Sequence, residues 1–369
     1  MRKILLLVGL VSLVFMGCPE PKTLETISVK INKQKYTVGE SVGANDIEVT
    51  ASYSDGTKET VSGYTVNPSR FNEVDPTAQV IITYAHEGIE KSATYKVTVE
   101  YGVPVATEIL GTDFVRISAG RMPLRTDGSY IVTLTRDYEI CKHEVTQKEY
   151  ETIMGTNPSG FKDNPASGED QDQRPVENIS WFDTILYCNK RTETENITIN
   201  GTTKIDYVYF SDVNYTSPYQ SGDSDVFMKI GATGYRLPTD AEWEIAARGG
   251  LTGDVYAGTS DDSNVGIYAW FKGNSVIKTH QVMKKEPNGY GLYDMSGNVW
   301  EWCWDLYDSS LPSEAVDPLG GKGSTRVIRG GGIYDDQSML SRLKVTYYTH
   351  DQPTQKDSDA GFRVVRTCR

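Results

Sequence analysis

The 369-residue chain is poor in the residues on which several common functions depend. It has four histidines, and its five cysteines (18, 141, 188, 303 and 368) form no Cys-x-x-Cys pair, so neither a zinc site nor a dithiol redox motif is supported. Acidic residues outnumber basic ones by 50 to 37, and the net charge of -13 comes without any basic run. This balance argues against nucleic acid and against an anionic membrane surface as partners. No apolar run reaches the roughly 20 residues that a membrane-spanning helix requires.

The N-terminus has the layout of a signal peptide. Met1-Arg-Lys3 is basic, and an uncharged apolar run of thirteen residues extends from Ile4 to Met16. Phe15-Met-Gly-Cys18 is similar to a bacterial lipobox, which predicts removal of residues 1–17 and lipid attachment to Cys18. The alternative is an ordinary secretory signal with an incidental cysteine. The lipobox interpretation places the protein on the bacterial cell surface, held in the outer membrane by its lipid anchor alone.

Residues 18–102 are predicted to be a linker followed by an all-β module. Short alternating strands recur without a helical period, around Ile27, Ile47, Val80 and Tyr95. This spacing is typical of a β-sandwich. Tyr36-Thr-Val-Gly-Glu40 and residues 51–57 resemble the bacterial Ig-like domains of surface proteins. An unrelated all-β spacer is the alternative.

Residues 103–369 mix strands with short helices. A strand is predicted from Phe114 to Ile117, and three helix starts each place a hydroxyl N-cap three residues before an acid. These pairs are Thr146 with Glu149, Ser180 with Asp183, and Thr239 with Glu242. Gly249 is predicted to end the third helix and Trp243 to face the core. The polar stretch from Asn189 to Lys229 is predicted to be a hairpin or surface insertion.

The four cysteines after Cys18 have no assigned partners. An oxidising compartment would allow two disulfides among Cys141, Cys188, Cys303 and Cys368, in any of three connectivities. The sequence does not choose among them.

Turn formers, aromatic residues and acids are concentrated between Pro287 and Asp305. Tight turns are predicted at 288–289 and 296–298, and residues 299–304 alternate like a half-buried strand. Two carboxylates and two backbone carbonyls lie within eight residues, at Asp294, Gly297, Val299 and Glu301. Because Ca²⁺ takes oxygen ligands, we expect one structural Ca²⁺ here. A hydrogen-bonded turn is the alternative.

Four segments resemble the formylglycine-generating, sulfatase-modifying family in its order: residues 114–120, 234–250, 287–305, and 329–332 with 361–365. The resemblance implies an α+β protein with the modified C-type lectin fold of that family, preceded by the Ig-like sandwich. The family's enzymes hold copper with two cysteines shortly after the Arg-Gly-Gly turn, and soft thiolates suit monovalent copper. This sequence has Asp335 and Leu340 at those positions, so we expect no copper and no oxidase reaction.

The run 333–353 lies between two of these segments and follows neither a strand nor a helix period. Its Tyr, Asp, Ser, Thr and His content is similar to that of a paratope, and an ordinary divergent loop is the alternative. The arrangement also resembles the variable proteins of Treponema diversity-generating retroelements, in which template asparagine codons are rewritten at adenines. No asparagine follows Asn298, whereas fifteen lie up to and including it. Residues 333–358 are therefore the predicted variable region, with Met339, Lys344 and Gln352 outside the expected codon set.

Thirteen residues of this region are predicted to contact a ligand: Ile333, Tyr334, Asp335, Asp336, Ser338, Leu340, Leu343, Val345, Tyr347, Tyr348, Thr349, His350 and Asp351. The tyrosines are expected to dominate affinity, on a surface that carries no core packing. Trp300 and Trp302 are candidates for the floor of the site, with core packing the alternative for at least one of them.

The function predicted from these features is a non-catalytic, surface-displayed ligand-binding lipoprotein. Its expected ligand is a protein or a glycan on another cell or a host. The alternative is an enzyme of the formylglycine-generating superfamily that uses chemistry without copper.

Overall fold

The computed structural model describes residues 22–109, 112–198, 205–222, 225–250 and 254–368. The predicted signal peptide and Cys18 lie outside these residues. The chain divides into two compact units, residues 1–100 and 101–369. Within the described ranges, no helix combines the length and the apolar character needed to cross a lipid bilayer.

Over residues 22–100, the part that the structure describes, the first unit is built from strands alone. They are β1 (Leu24–Ile31), β2 (Lys35–Thr37), β3 (Ile47–Tyr53), β4 (Lys58–Val61), β5 (Thr65–Asn67), β6 (Asp75–His86) and β7 (Ile89–Glu100). One sheet has the order β1-β3-β4 and the other the order β2-β7-β6-β5. Val49 from the first sheet packs with Ile82 and Val99 from the second in a shared core, which confirms the predicted β-sandwich.

The described residues of the second unit form many short strands and four α-helices. Its strands are β8 (Ala106–Glu108), β9 (Phe114–Ile117), β10 (Gly120–Leu124), β11 (Tyr130–Leu134), β12 (Tyr138–Cys141), β13 (Tyr209–Phe210), β14 (Phe227–Met228), β15 (Tyr235–Arg236), β16 (Trp300–Leu306), β17 (Glu314–Val316), β18 (Arg326–Arg329), β19 (Tyr348–Asp351), β20 (Ala360–Gly361) and β21 (Val365–Thr367). Its helices are α1 (Gln147–Met154), α2 (Trp181–Thr198), α3 (Asp240–Arg248) and α4 (Val265–Tyr268), with 3₁₀ helices at Gln171–Gln173 and Gln337–Leu343.

Two sheets organise the second unit. One has the order β15-β21-β12-β9-β8, and the other has the order β19-β18-β16-β20. β16 is buried on both faces from Trp300 to Asp305, so the predicted half-buried strand is corrected to a fully buried one. The reason lies in its neighbours. β18 and β20 flank it, and the indole of Trp181 on α2 donates to the Cys303 carbonyl over 3.0 Å.

All three predicted capping boxes are present. In each, the hydroxyl accepts from the backbone N–H three residues on, and the acid accepts from the backbone N–H of the cap residue, at 2.9–3.2 Å. Gly249 ends α3 with φ of 60°, as predicted. The prediction of an irregular stretch beginning at Asn189 is corrected, because α2 continues to Thr198. The buried Asn189 amide donates to the carbonyls of Tyr209 and Tyr219 and so fixes the hairpin β13–β14 to the helix.

The four cysteines after Cys18 are free thiols in the structure, so no disulfide forms from any of the three connectivities. Cys141, Cys188 and Cys303 are buried, and Cys141 and Cys188 belong to a different core cluster from Cys303. Burial raises the pKa of the Cys303 thiol well above its ordinary value, which keeps it protonated and unreactive.

Candidate functional site

The turn before β16 is fixed by backbone conformation and by buried polar contacts. Asp294, Gly297 and Asn298 have φ of 57°, 87° and 61°. A Cβ on Gly297 would lie 2.2 Å from the Trp270 carbonyl oxygen, so only glycine fits this position. The buried Asn298 amide donates to a Glu144 carboxylate oxygen over 2.7 Å. The turn is therefore rigid, and it sets the direction in which β16 leaves.

The four residues predicted to bind Ca²⁺ do not fit an ion held by Glu301. Arg363 donates to both Glu301 carboxylate oxygens, over 2.7 and 2.6 Å, and the Trp243 indole donates to one of them over 2.7 Å. Glu301 is thus already neutralised by a buried cation. Asp294 accepts from the Met283 N–H over 2.9 Å, and its other oxygen has no partner among the described residues. Burial raises the pKa of Asp294 to about 6.

The free Asp294 oxygen and the carbonyls of Gly297 and Val299 remain as oxygen ligands of the predicted set, and Ca²⁺ takes six to eight. In the described part of the chain, no group of three or more His, Cys, Asp or Glu side chains is arranged to hold a metal. The structural Ca²⁺ stays a prediction, and the hydrogen bonds of Glu301 and Asp294 are those of its alternative, a hydrogen-bonded turn.

The Arg-Gly-Gly turn joins helix α3 to the C-terminal run. The fully buried Arg329 donates to Asp240 over 2.6 Å and to Glu244 over 3.0 Å. It also donates to the backbone carbonyls of Val345 and Tyr347, both over 3.1 Å. A single guanidinium therefore ties the run at 345–347 to two acids of α3.

The two positions expected for copper-binding thiolates have other structural roles. One oxygen of the buried Asp335 accepts from the Gly332 N–H over 2.9 Å, and the other pairs with Arg342 over 3.0 Å. Leu340 lies in an apolar cluster with Tyr256 and Phe271. Neither side chain presents a soft ligand atom, and each is engaged in holding the run in place.

The run 333–353 is more regular than its sequence indicates. It contains the 3₁₀ helix Gln337–Leu343, whose N-cap Asp336 accepts from the Ser338 N–H over 2.9 Å. It also contains β19, which pairs antiparallel with β18. The prediction of an irregular segment is corrected, because a four-residue strand leaves too few positions for a two-residue period to show in the sequence.

Burial divides the thirteen predicted contact residues into two sets. Five are buried, and the prediction that they belong to a displayed surface without core packing is wrong for them: Ile333, Asp335, Leu340, Leu343 and Val345. Their side chains fill the space behind the run. Eight are exposed or half-buried: Tyr334, Asp336, Ser338, Tyr347, Tyr348, Thr349, His350 and Asp351. Tyr334 is 41% exposed, and its hydroxyl lies 3.1 Å from that of Ser358.

The outward residues meet two different hollows. Tyr347, Thr349, His350 and Asp351 line an open depression of about 240 Å³. Trp300 forms part of its lining, which agrees with the predicted role as a floor of the site. Trp302 is 1% exposed and belongs to the core, which agrees with the alternative of core packing. Tyr348 and His350 alternate with Thr349 along β19, and both rings pack on Tyr307, with centroids 5.6 and 4.1 Å from its own. Tyr348 also stacks under the Arg125 guanidinium, 4.1 Å from the ring centre, beside a larger cavity of about 750 Å³.

The depression also contains residues that the sequence did not single out. Arg342, Asp357 and Asp359 line it. Burial, with Asp335 and Asp357 nearby, raises the pKa of Asp359 to about 7, and burial also raises the pKa of Asp351. Asp359 directly precedes the strand Ala360–Gly361. Its position just before the segment 361–365 was the signal in the sequence from which it could have been found. Its raised pKa depends first on burial and then on Asp335, which is distant in sequence, so neither cause could be found from a local pattern.

Comparison with known protein families identifies the class of protein to which this fold and its Arg-Gly-Gly turn belong. Residues 102–368 match the model of the sulfatase-modifying factor enzyme 1-like domain, and the chain belongs to that family. Residues 29–99 match the bacterial Ig-like domain, group 3.

Among solved structures, the chain is similar to Treponema denticola variable protein 1, with 36% identity and a TM-score of 0.61 over 72% of this chain and 99% of that one. It is also similar to CarF, with 28% identity and a TM-score of 0.54 over 71% of this chain and all of that one.

Two curated relatives carry different functional names. The chain is 35% identical over 257 residues to a chaperone protein LppX of Paenibacillus barcinonensis, covering 64% of this chain and 82% of that protein. It is 38% identical over 144 residues to the formylglycine-generating enzyme of Streptomyces coelicolor, covering 35% of this chain and 46% of the enzyme. The chain thus spans less than half the length of that enzyme. The family fold therefore accommodates proteins named as enzymes and proteins that are not.

Proposed function

We propose that the chain is a non-catalytic ligand-binding lipoprotein of the bacterial surface, in which the outward side chains of residues 333–358 select the ligand. The observation that carries this proposal is the two-sided construction of the run. Eight of the thirteen predicted contact residues face outward, while the other five hold the same segment against the core. Such a segment accepts changes on one side without losing its position.

The inward side explains how the backbone stays in place while outward residues change. Leu343 and Leu340 pack in one apolar cluster, and Arg329 holds the carbonyls of Val345 and Tyr347. Substitutions at Tyr334, Thr349 or His350 remove none of these contacts. Similarity to a protein named as a variable protein, at 36% identity, supports the same use of the fold.

The absence of catalysis is proposed from the chemistry of two positions. Asp335 gives its carboxylate to a backbone N–H and to Arg342, and Leu340 has no donor atom. Copper(I) needs soft thiolate ligands, which neither position supplies. A purified protein incubated with copper, oxygen and a cysteine-containing sulfatase peptide should yield no aldehyde, and formation of peptidyl aldehyde would overturn this part of the proposal.

The lipid anchor is proposed from the N-terminal sequence. A basic start, a thirteen-residue apolar run and Cys18 direct export and acylation, and in the sequence the Ig-like unit lies between Cys18 and the ligand-binding unit. Metabolic labelling with an alkyne fatty acid should mark the wild-type protein and not Cys18→Ser.

The genomic locus provides the sharpest test of diversification. We expect a near-copy of the DNA for the C-terminal region, carrying adenines at the codons of outward residues such as Tyr334 and His350, beside a reverse-transcriptase gene. The codons of Met339 and Lys344, which fall outside the expected set, serve as internal controls and should match between the two copies. A locus with no repeat and no reverse transcriptase would contradict the proposal.

A further inference from the structure

The depression beside β19 has an aromatic floor and an acidic rim. The Trp300 and Tyr347 rings lie 6.1 Å apart at an angle of 56°. Asp351, Asp357 and Asp359 surround them in the same lining. Aromatic faces and carboxylates both attract cations, so the two kinds of group act in the same direction.

The rim carboxylates lack neutralising partners. Asp351 accepts from the Gln352 N–H over 2.7 Å, Asp357 accepts from the Gln355 amide over 2.8 Å, and the two acid side chains share a hydrogen bond, so none of these partners is a cation. The Asp359 carboxylate accepts no hydrogen bond from another residue's side chain within the described ranges, and one of its oxygens packs against Gly332.

The nearest cations are committed elsewhere. Arg342 lines the depression but pairs with Asp335 over 3.0 Å, and Lys356 pairs with Asp183 over 2.7 Å. His350 is the other basic residue of the lining. The lining therefore carries an excess of negative charge that an incoming cation would neutralise.

Trp300 supplies a second, independent sign of a ligand. It is 8% exposed, yet its indole N–H has no hydrogen-bond acceptor among the described residues, and the residue lines the depression. The indoles of Trp181, Trp243 and Trp302 each donate within the protein, over 2.7–3.2 Å. The Trp300 nitrogen is not among the fully enclosed polar atoms that lack a partner, so it is accessible, and an acceptor on a ligand in the depression can replace water there.

The neighbouring strand indicates the kind of molecule that carries the cation. β19 stands at the end of the order β19-β18-β16-β20, and in the described part of the chain no strand pairs with its outer edge. An unpaired edge offers alternating N–H and C=O groups, which an extended peptide matches and a glycan does not. The peptide would also bring a carbonyl oxygen for Trp300.

We propose that the depression binds the ammonium or guanidinium group of a Lys or Arg side chain, carried on a protein segment that lies along the free edge of β19. This inference rests on the proposed ligand-binding function and names the chemistry of the ligand. The cation lies between Asp351, Asp357 and Asp359, against the Trp300 and Tyr347 rings.

The test uses the mature chain and defined peptides. A fluorescein-labelled peptide of alternating valine and threonine with one central lysine is titrated by anisotropy at pH 8, alongside versions with arginine, acetyl-lysine or norleucine at that position. We expect binding of the lysine and arginine peptides, and at least tenfold weaker binding of the two neutral ones. Equal affinity for all four peptides, or binding of none, would overturn the inference.

Variants assign the contacts. Asp359→Asn keeps the shape of the side chain and should weaken binding of the lysine peptide at least tenfold. Asp336→Asn, outside the depression, should leave the affinity for this peptide unchanged. Trp300→Phe keeps a ring and removes the N–H, and should weaken all charged peptides severalfold. Unchanged affinity in both Asp359→Asn and Trp300→Phe, with both variants folded by circular dichroism, would place binding elsewhere and overturn the inference.

A glucosamine tetramer serves as the competing source of ammonium groups. If it binds more tightly than the lysine peptide, the peptide assignment is wrong. If no probe binds although sister copies of the gene differ at the outward positions, this inference fails while the proposed function stands. If the gene copies are uniform but the lysine peptide binds as expected, the proposal that residues 333–358 are diversified is wrong and the proposed cation site stands.

Discussion

Leu343→Ala should destabilise the second unit strongly, although residue 343 lies inside the predicted variable region. The Leu343 side chain is fully buried in a cluster with Tyr256, Phe271 and Leu340. Its packing is tight, since a Cβ on Gly331 would lie 2.6 Å from a Leu343 methyl group. Truncating a buried leucine costs about 2–5 kcal/mol, depending on how far the site collapses. With neighbours held by the Arg-Gly-Gly turn, we expect about 3 kcal/mol.

Urea unfolding followed by tryptophan fluorescence measures this cost selectively. All six tryptophans lie between Trp181 and Trp304, so the signal reports on the second unit and not on the Ig-like one. The matched control is Tyr334→Ala in the same run, which should change the free energy of unfolding by no more than about 0.5 kcal/mol because Tyr334 is exposed. A Leu343→Ala change below about 1 kcal/mol, or an equal loss for Tyr334→Ala, would refute the division of the run into inward and outward sides.

Three further outcomes are expected. Arg329→Met should cost about 3 kcal/mol in the same assay, because it leaves the carbonyls of Val345 and Tyr347 without this donor and takes one buried cation from Asp240 and Glu244, which keep Arg125. Arg342→Met at the half-exposed pair should cost less than about 1 kcal/mol. Asp359 has a folded-state pKa of about 7 against an ordinary value of 3.8, so it destabilises the fold as pH rises from 4 to 7 and gives a constant penalty above that range. For Asp359→Asn, the free energy of unfolding at pH 8 minus that at pH 4 should therefore exceed the same difference in the wild type by about 2–4 kcal/mol. Parallel pH profiles of the two proteins would contradict this. Mass-spectrometric labelling with iodoacetamide should modify the half-buried Cys368 before Cys303 in the native protein, and prior labelling of Cys303 would contradict its burial.

Local signals in the sequence predicted local structure well. The capping boxes at Thr146, Ser180 and Thr239 each depend on residues three apart, and all three form. The predicted alternation of apolar and polar residues in the Ig-like strands is matched by alternating burial in the structure, as in β3 and β6, because each strand buries one face. The family segments predicted the fold of the second unit, and the match to residues 102–368 supports it.

Contacts between distant residues could not be predicted in this way. Arg363 neutralises Glu301 across 62 positions, and no spacing rule connects them, so the sequence did not show that this carboxylate is paired with a buried cation. The codon argument for residues 333–358 had a similar limit. It admits Ile, Leu and Val as readily as Tyr or His, and therefore cannot separate the buried Val345 from the exposed His350.

Sequencing this gene from many isolates of one species tests the central claim most directly. A displayed face on a fixed core predicts that amino-acid changes concentrate at outward positions such as Tyr334, Thr349 and His350, while Leu343 and Val345 stay apolar and Arg329 stays invariant. Changes spread evenly along residues 101–369, or a C-terminal run that is identical in every isolate, would contradict it.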